Sequence, residues 1–268
     1  MTTRLPVATK FCAVVVDVGY GHRFFIDGNS KITRSNGTYA APAPNAFSLP
    51  AASAGAGYSC PGSTAVCRSS CYVRGLAAHA PDLYARYESN AGHLSAVLDN
   101  QRWVTRAAVR LATWIANNAV GGFRWHVSGD VWNGRHASLI VDVCKLTPQV
   151  PHWIYTRTLG AVEVLRRAAN LAVNVSADRD NYAEARAVAV ATGARVCYLS
   201  SDGEVPADLP PGSVIFPDYK LRGRELTDPT AAPWWGTLTH EQRTQVCPPD
   251  FFGQSEQHRC GPCGKCLT

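Results

Sequence analysis

The chain has 268 residues, 46% hydrophobic and 17% charged, a balance typical of one globular domain with a full-sized core. Its formal net charge of +6 permits a polyanionic partner but falls short of the dense basic stripe expected of a dedicated nucleic-acid binder. No apolar run approaches the ~20 residues of a membrane helix, and the first residues lack signal-peptide segments. We therefore expect a cytoplasmic protein, in the host cell cytosol if a phage encodes it, with no membrane partner.

The N-terminal segment, residues 1–44, contains two predicted short strands, at residues 11–16 and 24–26. The rest of it is rich in Gly, Ser, Asn, Pro and Ala, so we interpret it as an extension that precedes the main domain. A further strand at residues 47–49 begins that domain, which we expect to cover residues 45–220.

A cysteine-rich loop follows this strand. Cys60, Cys67 and Cys71 have the spacing C-x6-C-x3-C, and Pro61 and Gly62 favour a loop over a regular element. Three thiols brought to one place suit a soft metal ion or an iron–sulfur cluster. A cubane held by three thiolates leaves one iron open to another ligand. The alternative is a zinc ion completed by a histidine or by a distant cysteine.

Helices and strands alternate along the rest of this domain. The predicted order is helix 82–98, helix 103–115, strand 123–127, helix 136–146, strand 152–155, helix 159–169, strand 171–175, helix 182–192, strand 195–199 and strand 213–216. This alternation predicts right-handed βαβ units and a parallel sheet. It favours an α/β fold with a partial or complete (β/α) barrel.

Polar residues concentrate where the predicted strands end, at the edge that carries the active site in parallel α/β folds. They are Ser128, Asp130, Thr156, Arg157, Asn174, Ser176 and Asp178. By alternation His126 shares a face with Arg124 and Ser128, so it is either a proton donor or ligand in the site, or a core histidine. Arg157 is a candidate partner for a carboxylate or phosphate, or forms an ion pair that closes the barrel mouth.

The tail, residues 221–268, has little apolar periodicity and is expected to need a metal or cluster to hold it. Cys247, Cys260, Cys263 and Cys266 have the spacing C-x12-C-x2-C-x2-C, which suits a four-thiolate site. Either structural zinc or a second [4Fe–4S] cluster satisfies four thiolates, and the close final spacing favours the cluster. The other cysteines lie in apolar runs, where buried structural roles are expected: Cys12, Cys144 and Cys197.

Several segments together carry a resemblance to known proteins. They are Cys60-Pro-Gly-Ser, Cys67-Arg-Ser-Ser-Cys71-Tyr72, Arg124-Trp-His-Val-Ser-Gly-Asp130, Trp153-Ile-Tyr-Thr-Arg157 and Cys247-Pro with Cys260-Gly-Pro-Cys263-Gly-Lys-Cys266. A three-cysteine loop that leads into a (β/α) barrel resembles the radical SAM superfamily. Over residues 45–268 the chain is similar to an uncharacterised family of phage and plasmid radical-SAM-like iron–sulfur proteins. It departs from the superfamily's usual C-x3-C-x2-C spacing, in which an aromatic residue precedes the last cysteine.

The resemblance implies an enzyme that holds a [4Fe–4S] cluster on the three-cysteine loop and a second cluster on the tail. In that superfamily the open iron chelates S-adenosylmethionine, and reductive cleavage yields a 5′-deoxyadenosyl radical. Ser128-Gly129-Asp130 looks like the Gly-Gly-Glu segment that receives the methionine amino group. Asn174 and Ser176 are placed like the residues that hold the ribose, and Tyr72 either covers the cluster, stacks on a ligand or packs in the core. Helix capping is the alternative role for the strand-end residues.

The implied partners are an electron donor such as ferredoxin or flavodoxin and a substrate of unknown identity. A nucleobase, a nucleotide or a nucleic acid is the candidate class, suggested by the phage resemblance and the positive charge. The rival hypothesis is a non-catalytic iron–sulfur or zinc metalloprotein. Such a protein would have a structural, redox-sensing, or nucleic-acid or host-protein binding role.

Overall fold

The structure is a computed structural model that describes residues 13–28, 44–52, 59–119, 121–218, 225, 228–247 and 265–266. One eight-stranded sheet follows the chain order. Its strands are β1 Ala13–Gly19, β2 His22–Gly28, β3 Pro44–Phe47, β4 Phe123–Trp125, β5 His152–Thr156, β6 Leu171–Ala177, β7 Arg195–Ser200 and β8 Val214–Pro217. Neighbouring strands from β3 to β8 are parallel, whereas β2 pairs antiparallel with both β1 and β3.

The described helices alternate with these strands. They are α1 Ala65–Ser69, α2 Leu76–His79, α3 Pro81–Leu98, α4 Gln101–Asn118, α5 Gly134–Leu146, α6 Val162–Leu165, α7 Tyr182–Thr192, α8 Pro233–Thr237 and α9 His240–Gln245. The predicted mixed α/β class and parallel sheet are confirmed. The helix predicted at 159–169 is instead a 3-10 turn at Leu159–Ala161 followed by α6, which ends at Leu165. Within the described ranges, no helix is both long and apolar enough to cross a membrane.

The sheet is open in the part of the chain that the structure describes. β1 and β8 are its outer strands and do not pair with each other, whereas a closed barrel needs its first and last strands to share a ladder. The prediction of a complete barrel is therefore wrong. The two strands predicted before residue 44 join this sheet as the β1–β2 hairpin, which extends it beyond β3.

Helix α3 is tied to the sheet by a buried amide. Asn90 is fully buried, accepts a hydrogen bond from the Phe25 N–H at 2.7 Å and donates to the Phe25 carbonyl at 2.9 Å. It also donates to the carbonyl of Ser48, just beyond β3, at 3.0 Å. One side chain thus satisfies backbone groups of two sheet segments and positions α3 beside the chain that leads to the cysteine loop.

Candidate cysteine-lined active site

A cavity of about 650 Å³ lies against the inner face of the sheet. Every strand from β2 to β8 contributes to its wall, through Asp27, Ala46, Arg124, Tyr155, Ser176, Cys197 and Phe216 among others. Six described cysteines line it, in two groups. The loop group is Cys60, Cys67 and Cys71, and the wall group is Cys197, Cys247 and Cys266.

The loop group lies at the edge where the parallel strands end. Thr64 caps α1, its hydroxyl accepting from the Cys67 N–H at 2.9 Å, and so holds the first turn that carries Cys67. The same hydroxyl donates to Asp178 at the end of β6, at 2.6 Å. All three thiols of the group are partly exposed, so they face the cavity without being sealed from solvent.

Further contacts anchor the loop to neighbouring strand ends. The Asp130 N–H donates to the Ser59 carbonyl at 2.7 Å, and the Val66 N–H donates to Asp180 at 3.2 Å. Gly62 passes so close to the backbone of β5 that a Cβ atom there would fall on the carbonyl of Arg157. Only glycine fits this approach, and the loop is therefore pinned at several points on three successive strand ends.

Asp130 is buried and braces the site from within. Its Oδ1 accepts from the Val131 N–H at 2.7 Å and from the Thr156 hydroxyl at 2.6 Å, and its Oδ2 accepts from the Arg157 N–H at 2.7 Å. Burial raises the pKa of Asp130, and these hydrogen bonds oppose that shift. The carboxyl group joins the end of β4 to the end of β5 and also lines the cavity.

Arg157 forms an ion pair inside the protein. Its Nη1 lies 2.7 Å from Oδ2 of Asp178, and both side chains are buried. Asp178 therefore binds Arg157 and Thr64 together, which links the cysteine loop to the ends of β5 and β6. The structure places Arg157 on the cavity wall with its charge already matched by a carboxylate.

His126 is buried and lines the cavity together with Arg124 and Ser128, the residues with which it was predicted to share a face. β4 ends at Trp125, and His126 has φ +58°, so strand alternation no longer sets its direction. Its ring packs against His136 and Phe47, at centroid distances of 5.0 and 5.9 Å. Burial, with His136 and Arg124 nearby, lowers the pKa of His126 well below its usual value. The ring is therefore neutral at pH 7, and neither ring nitrogen has a hydrogen-bond partner among the described residues.

The Ser128-Gly129-Asp130 segment packs against the residues that follow β3. The Ser128 carbonyl accepts from the Leu49 N–H at 2.9 Å, and a Cβ atom on Gly129, which has φ +80°, would fall 2.5 Å from Leu49 Cβ. The glycine is required both for its left-handed backbone and for this close approach. Ser128 is buried on the cavity wall, and its hydroxyl has no partner in the described part of the chain.

Ser176 lies on the cavity wall, whereas Asn174 lies behind it. Ser176 lines the cavity, as expected for a ligand-binding residue. Asn174 is fully buried and donates to the carbonyl of Cys266 at 3.2 Å, while its Oδ1 accepts from Cys197 at 3.7 Å. Asn174 therefore contacts the wall group of cysteines. Tyr72 is 71% exposed at the cavity wall, so a role in the core does not fit its position.

The wall group brings together cysteines that are far apart in sequence. Cys197 points inward from β7, Cys247 follows a bridge beside β8, and Cys266 packs against them with Tyr155 and Phe216. Cys197 is buried, as expected from the sequence, but its place in this group was not predicted. Alternation along β7, which puts Cys197 on the same face as Leu199, was the signal that could have found it. Cys260 and Cys263 lie outside the described residues.

Burial controls the protonation of these thiols. It raises the pKa of Cys60 to about 12 and also raises that of Cys67, where the nearby Arg157 guanidinium opposes the shift. Burial raises the pKa of Cys197 well above its usual value. These thiols are therefore protonated at pH 7 when no metal is bound.

The loop group offers three cysteine sulfurs, the donor type that iron–sulfur clusters use. Three soft sulfur ligands on one anchored loop face a cavity large enough for a second ligand. Among the described residues, no three His, Cys, Asp or Glu side chains are grouped closely enough to hold a single metal ion. A cubane differs from such an ion because each thiolate binds a separate iron.

The fold and the site define a mixed α/β protein with an open, mainly parallel sheet and a cavity lined by two groups of cysteines. Residues 23–268 match the family described as Gene product 88, so the chain belongs to this phage-type family. The match covers both cysteine groups, strands β3 to β8 and all of β2 except His22. No curated protein and no solved structure matches the chain.

Proposed function

We propose that the protein is an iron–sulfur enzyme that resembles radical SAM proteins. One observation carries this proposal, the anchored loop that holds Cys60, Cys67 and Cys71 over a large cavity where the parallel strands end. When bound there, a [4Fe–4S] cluster with an open iron would supply electrons for reductive cleavage of S-adenosylmethionine to a 5′-deoxyadenosyl radical. The chain's own residues would orient the ligand and exclude water.

A partial (β/α) barrel belongs to the same proposal. A flat sheet would put β2 and β8, six ladder steps apart, at a separation of about 29 Å. Both strands contribute to the wall of one 650 Å³ cavity, which supports a strongly curled sheet. The six consecutive parallel strands, β3 to β8, would form the barrel wall.

Individual residues receive specific roles. Ser128, with its buried hydroxyl, and Asp130 would bind the methionine amine of S-adenosylmethionine, and Ser176 would bind the ribose. Tyr72 would cover the ligand from the exposed side. Asn174, proposed from the sequence as a ribose ligand, would instead hold Cys266. The role of His126 as a proton donor stays a prediction.

The tail would hold an auxiliary cluster through Cys247, Cys260, Cys263 and Cys266. Zinc is the alternative there, because four thiolates satisfy either species. The proposed electron donor is a ferredoxin or flavodoxin, and the proposed substrate is a nucleobase, a nucleotide or a nucleic acid. We propose the host cell cytosol as the location, because free thiols of this number suit a reducing compartment.

A non-catalytic metalloprotein is the second candidate. Asp130 and Arg157 favour a non-catalytic protein, because their charged groups already bind other residues of the chain. The carboxylate of Asp130 accepts three hydrogen bonds, and the guanidinium of Arg157 is paired with Asp178. In that case the thiols would bind zinc or a cluster for structure or redox sensing.

Anaerobic reconstitution with iron and sulfide tests the cluster. We expect about eight irons per chain for two cubanes. Cys67→Ala should lower this by about four, whereas Cys144→Ala, which removes a buried thiol outside both groups, should not. Stoichiometric zinc in the freshly purified protein would contradict the cluster proposal.

Addition of dithionite and S-adenosylmethionine to the reconstituted protein tests catalysis. We expect 5′-deoxyadenosine from the native chain and from Cys144→Ala, and none from Cys67→Ala. If the fully loaded protein forms no 5′-deoxyadenosine, the radical proposal fails and the non-catalytic candidate is favoured.

A further inference from the structure

Helix α4 carries a row of arginines on its exposed face. Arg102, Arg106 and Arg110 are spaced four residues apart, and all three are exposed. Each step advances about 6 Å along the helix and turns about 40°, so the row covers roughly 12 Å of one face. The nearest acidic residues in sequence are Asp99 and Asp130, both outside α4. The helix therefore carries three positive charges and no negative one.

This row is not neutralised in the part of the chain that the structure describes. No ion pair there involves these three arginines, whereas other arginines are paired with carboxylates: Arg86, Arg157, Arg167, Arg179 and Arg186. The opposite face of α4 is apolar and fully occupied, because Val104, Leu111 and Ile115 are buried against the sheet. The charged face is therefore the one that α4 offers to a partner.

The β1–β2 hairpin holds the middle of the row in place. The guanidinium of Arg106 lies 5.2 Å from the centroid of the Tyr20 ring, and Tyr20 stacks on Trp103 at 5.4 Å. Gly19 makes room for it, because a Cβ atom there would fall 2.5 Å from Arg106 Nε. A guanidinium ordered in advance loses less side-chain entropy when it binds a ligand.

The sheet topology places the turn of the β1–β2 hairpin at the edge of the sheet where the parallel strands end. β2 is antiparallel to both β1 and β3, so β1 runs parallel to β3. The end of β1 at Gly19 therefore lies at the edge where β3 to β8 also end. The loop group of cysteines lies at the same edge of the sheet.

We propose that the α4 arginine row binds the phosphate backbone of a nucleic acid. Arginine binds phosphate oxygens through paired N–H donors, and a row of such groups matches a regularly charged polyanion. An anionic membrane fits less well, because an interfacial helix needs an apolar face for the lipid and that of α4 is buried. The inference deepens the nucleic-acid substrate class proposed above but does not rest on any cluster chemistry.

The test measures binding of the full chain to a labelled oligonucleotide, single-stranded and duplex, by fluorescence anisotropy between about 50 and 200 mM salt. The variant R102Q/R106Q/R110Q removes the row. The control R166Q/R167Q/R186Q removes the same formal charge elsewhere: Arg166 and Arg167 are exposed just after α6, and Arg186 is half-buried on α7. We expect the row variant to bind at least tenfold more weakly at the lowest salt. Its slope of log affinity against log salt should fall by about two to three, since each lost phosphate contact contributes roughly 0.7–0.9.

The single- and double-stranded arms identify the form of nucleic acid that binds, and tighter binding of either supports the proposal. Equal losses in both triple variants would overturn it, because general charge would then explain the binding. So would the absence of binding to both oligonucleotides, or equal competition by polyglutamate, which would indicate an acidic protein partner. Tyr20→Ala should weaken binding about two- to fivefold by releasing Arg106. These outcomes do not depend on whether the protein forms 5′-deoxyadenosine.

Discussion

The two cysteine groups differ in how the protein holds them. The loop group is partly exposed and pinned to strand ends by backbone and carboxylate contacts. The wall group combines the buried Cys197 and Cys247 with Cys266, whose carbonyl binds Asn174. Because the loop group is anchored through backbone contacts, its thiols stay accessible at the cavity. The thiols of the wall group are instead packed against neighbouring side chains. We therefore expect substitutions in the loop group to change mainly the reactivity of the protein, and substitutions in the wall group to change mainly its free energy of unfolding.

The largest expected effect comes from removing one cysteine from each group. Cys67→Ala should abolish the loop cluster and any 5′-deoxyadenosine formation, with little change in the free energy of unfolding of the protein before reconstitution. Cys247→Ala should destabilise the protein by about 1–3 kcal/mol, because the lost sulfur leaves a gap beside Cys197. Iron content and urea unfolding measure the two effects. If Cys67→Ala unfolds the chain instead, the loop site is structural and the comparison fails.

After the loss of cluster and activity, removal of the carboxylate that anchors the loop gives the largest expected change in stability. Asp178→Asn leaves the buried Arg157 without its charge partner, which should cost about 3–5 kcal/mol in the free energy of unfolding. It should also speed alkylation of Cys67, while Cys247 stays protected. Glu163→Gln, which removes the carboxylate of the exposed Arg167–Glu163 ion pair on α6, is the control and should cost less than about 1 kcal/mol. Similar losses in both variants would mean that the ion pair does not anchor the loop.

Asp27, on the cavity wall and outside both cysteine groups, should make the free energy of unfolding depend on pH. Burial raises the pKa of Asp27 to about 7, against the opposing charge of Arg86, and Tyr87 also lies near it on α3. The folded state thus holds this proton more tightly than the unfolded state. The stabilisation is complete below the unfolded pKa of about 3.9 and is lost as pH rises through 7. Asp27→Asn should gain about 2–4 kcal/mol relative to the native chain between pH 4 and 8.

Urea unfolding across this pH range measures that difference. Asp142→Asn, which alters an exposed carboxylate on α5, is the control and should not reproduce this gain. A relative gain for Asp27→Asn toward low pH would have the wrong sign and would contradict the raised pKa.

The smallest effect tests the closest contact of the loop. Gly62→Ala should cost about 1–3 kcal/mol, because its methyl group would meet the backbone of Arg157 and the loop would have to move. Gly134→Ala is the control, since an added Cβ there meets nothing within 4 Å. Thermal unfolding measures both variants. Equal behaviour of the two would show that the loop is not pressed against β5.

Local patterns predicted most of the sheet. Strands such as 152–155 and 171–175 were recognised because apolar runs between helices with 3.6-residue periodicity have few other interpretations. The edge that collects Asp130, Arg157 and Ser176 followed from the shared direction of parallel strands. Openness of the sheet could not be predicted in this way, because it depends on whether two strands far apart in sequence form a ladder.

The failures of prediction have specific physical causes. The strand predicted at 123–127 ends at Trp125 because His126 adopts φ +58°, which no periodicity reveals. The proximity of Cys197 to Cys247 and Cys266 was not predicted, because only the tail brings those two cysteines to it. The overall charge of +6 also concealed the α4 arginine row, because net charge does not report where charges cluster.

The contact at Gly62 has a mechanical consequence. With no side chain between them, the cysteine loop and the end of β5 cannot move independently, and a displacement of Arg157 must be passed to Cys60 and Cys67. A ligand that enters the cavity and shifts Arg157 would therefore change the spacing of the thiols. Alkylation rates of Cys60 and Cys67 would then report cavity occupancy even in the absence of turnover.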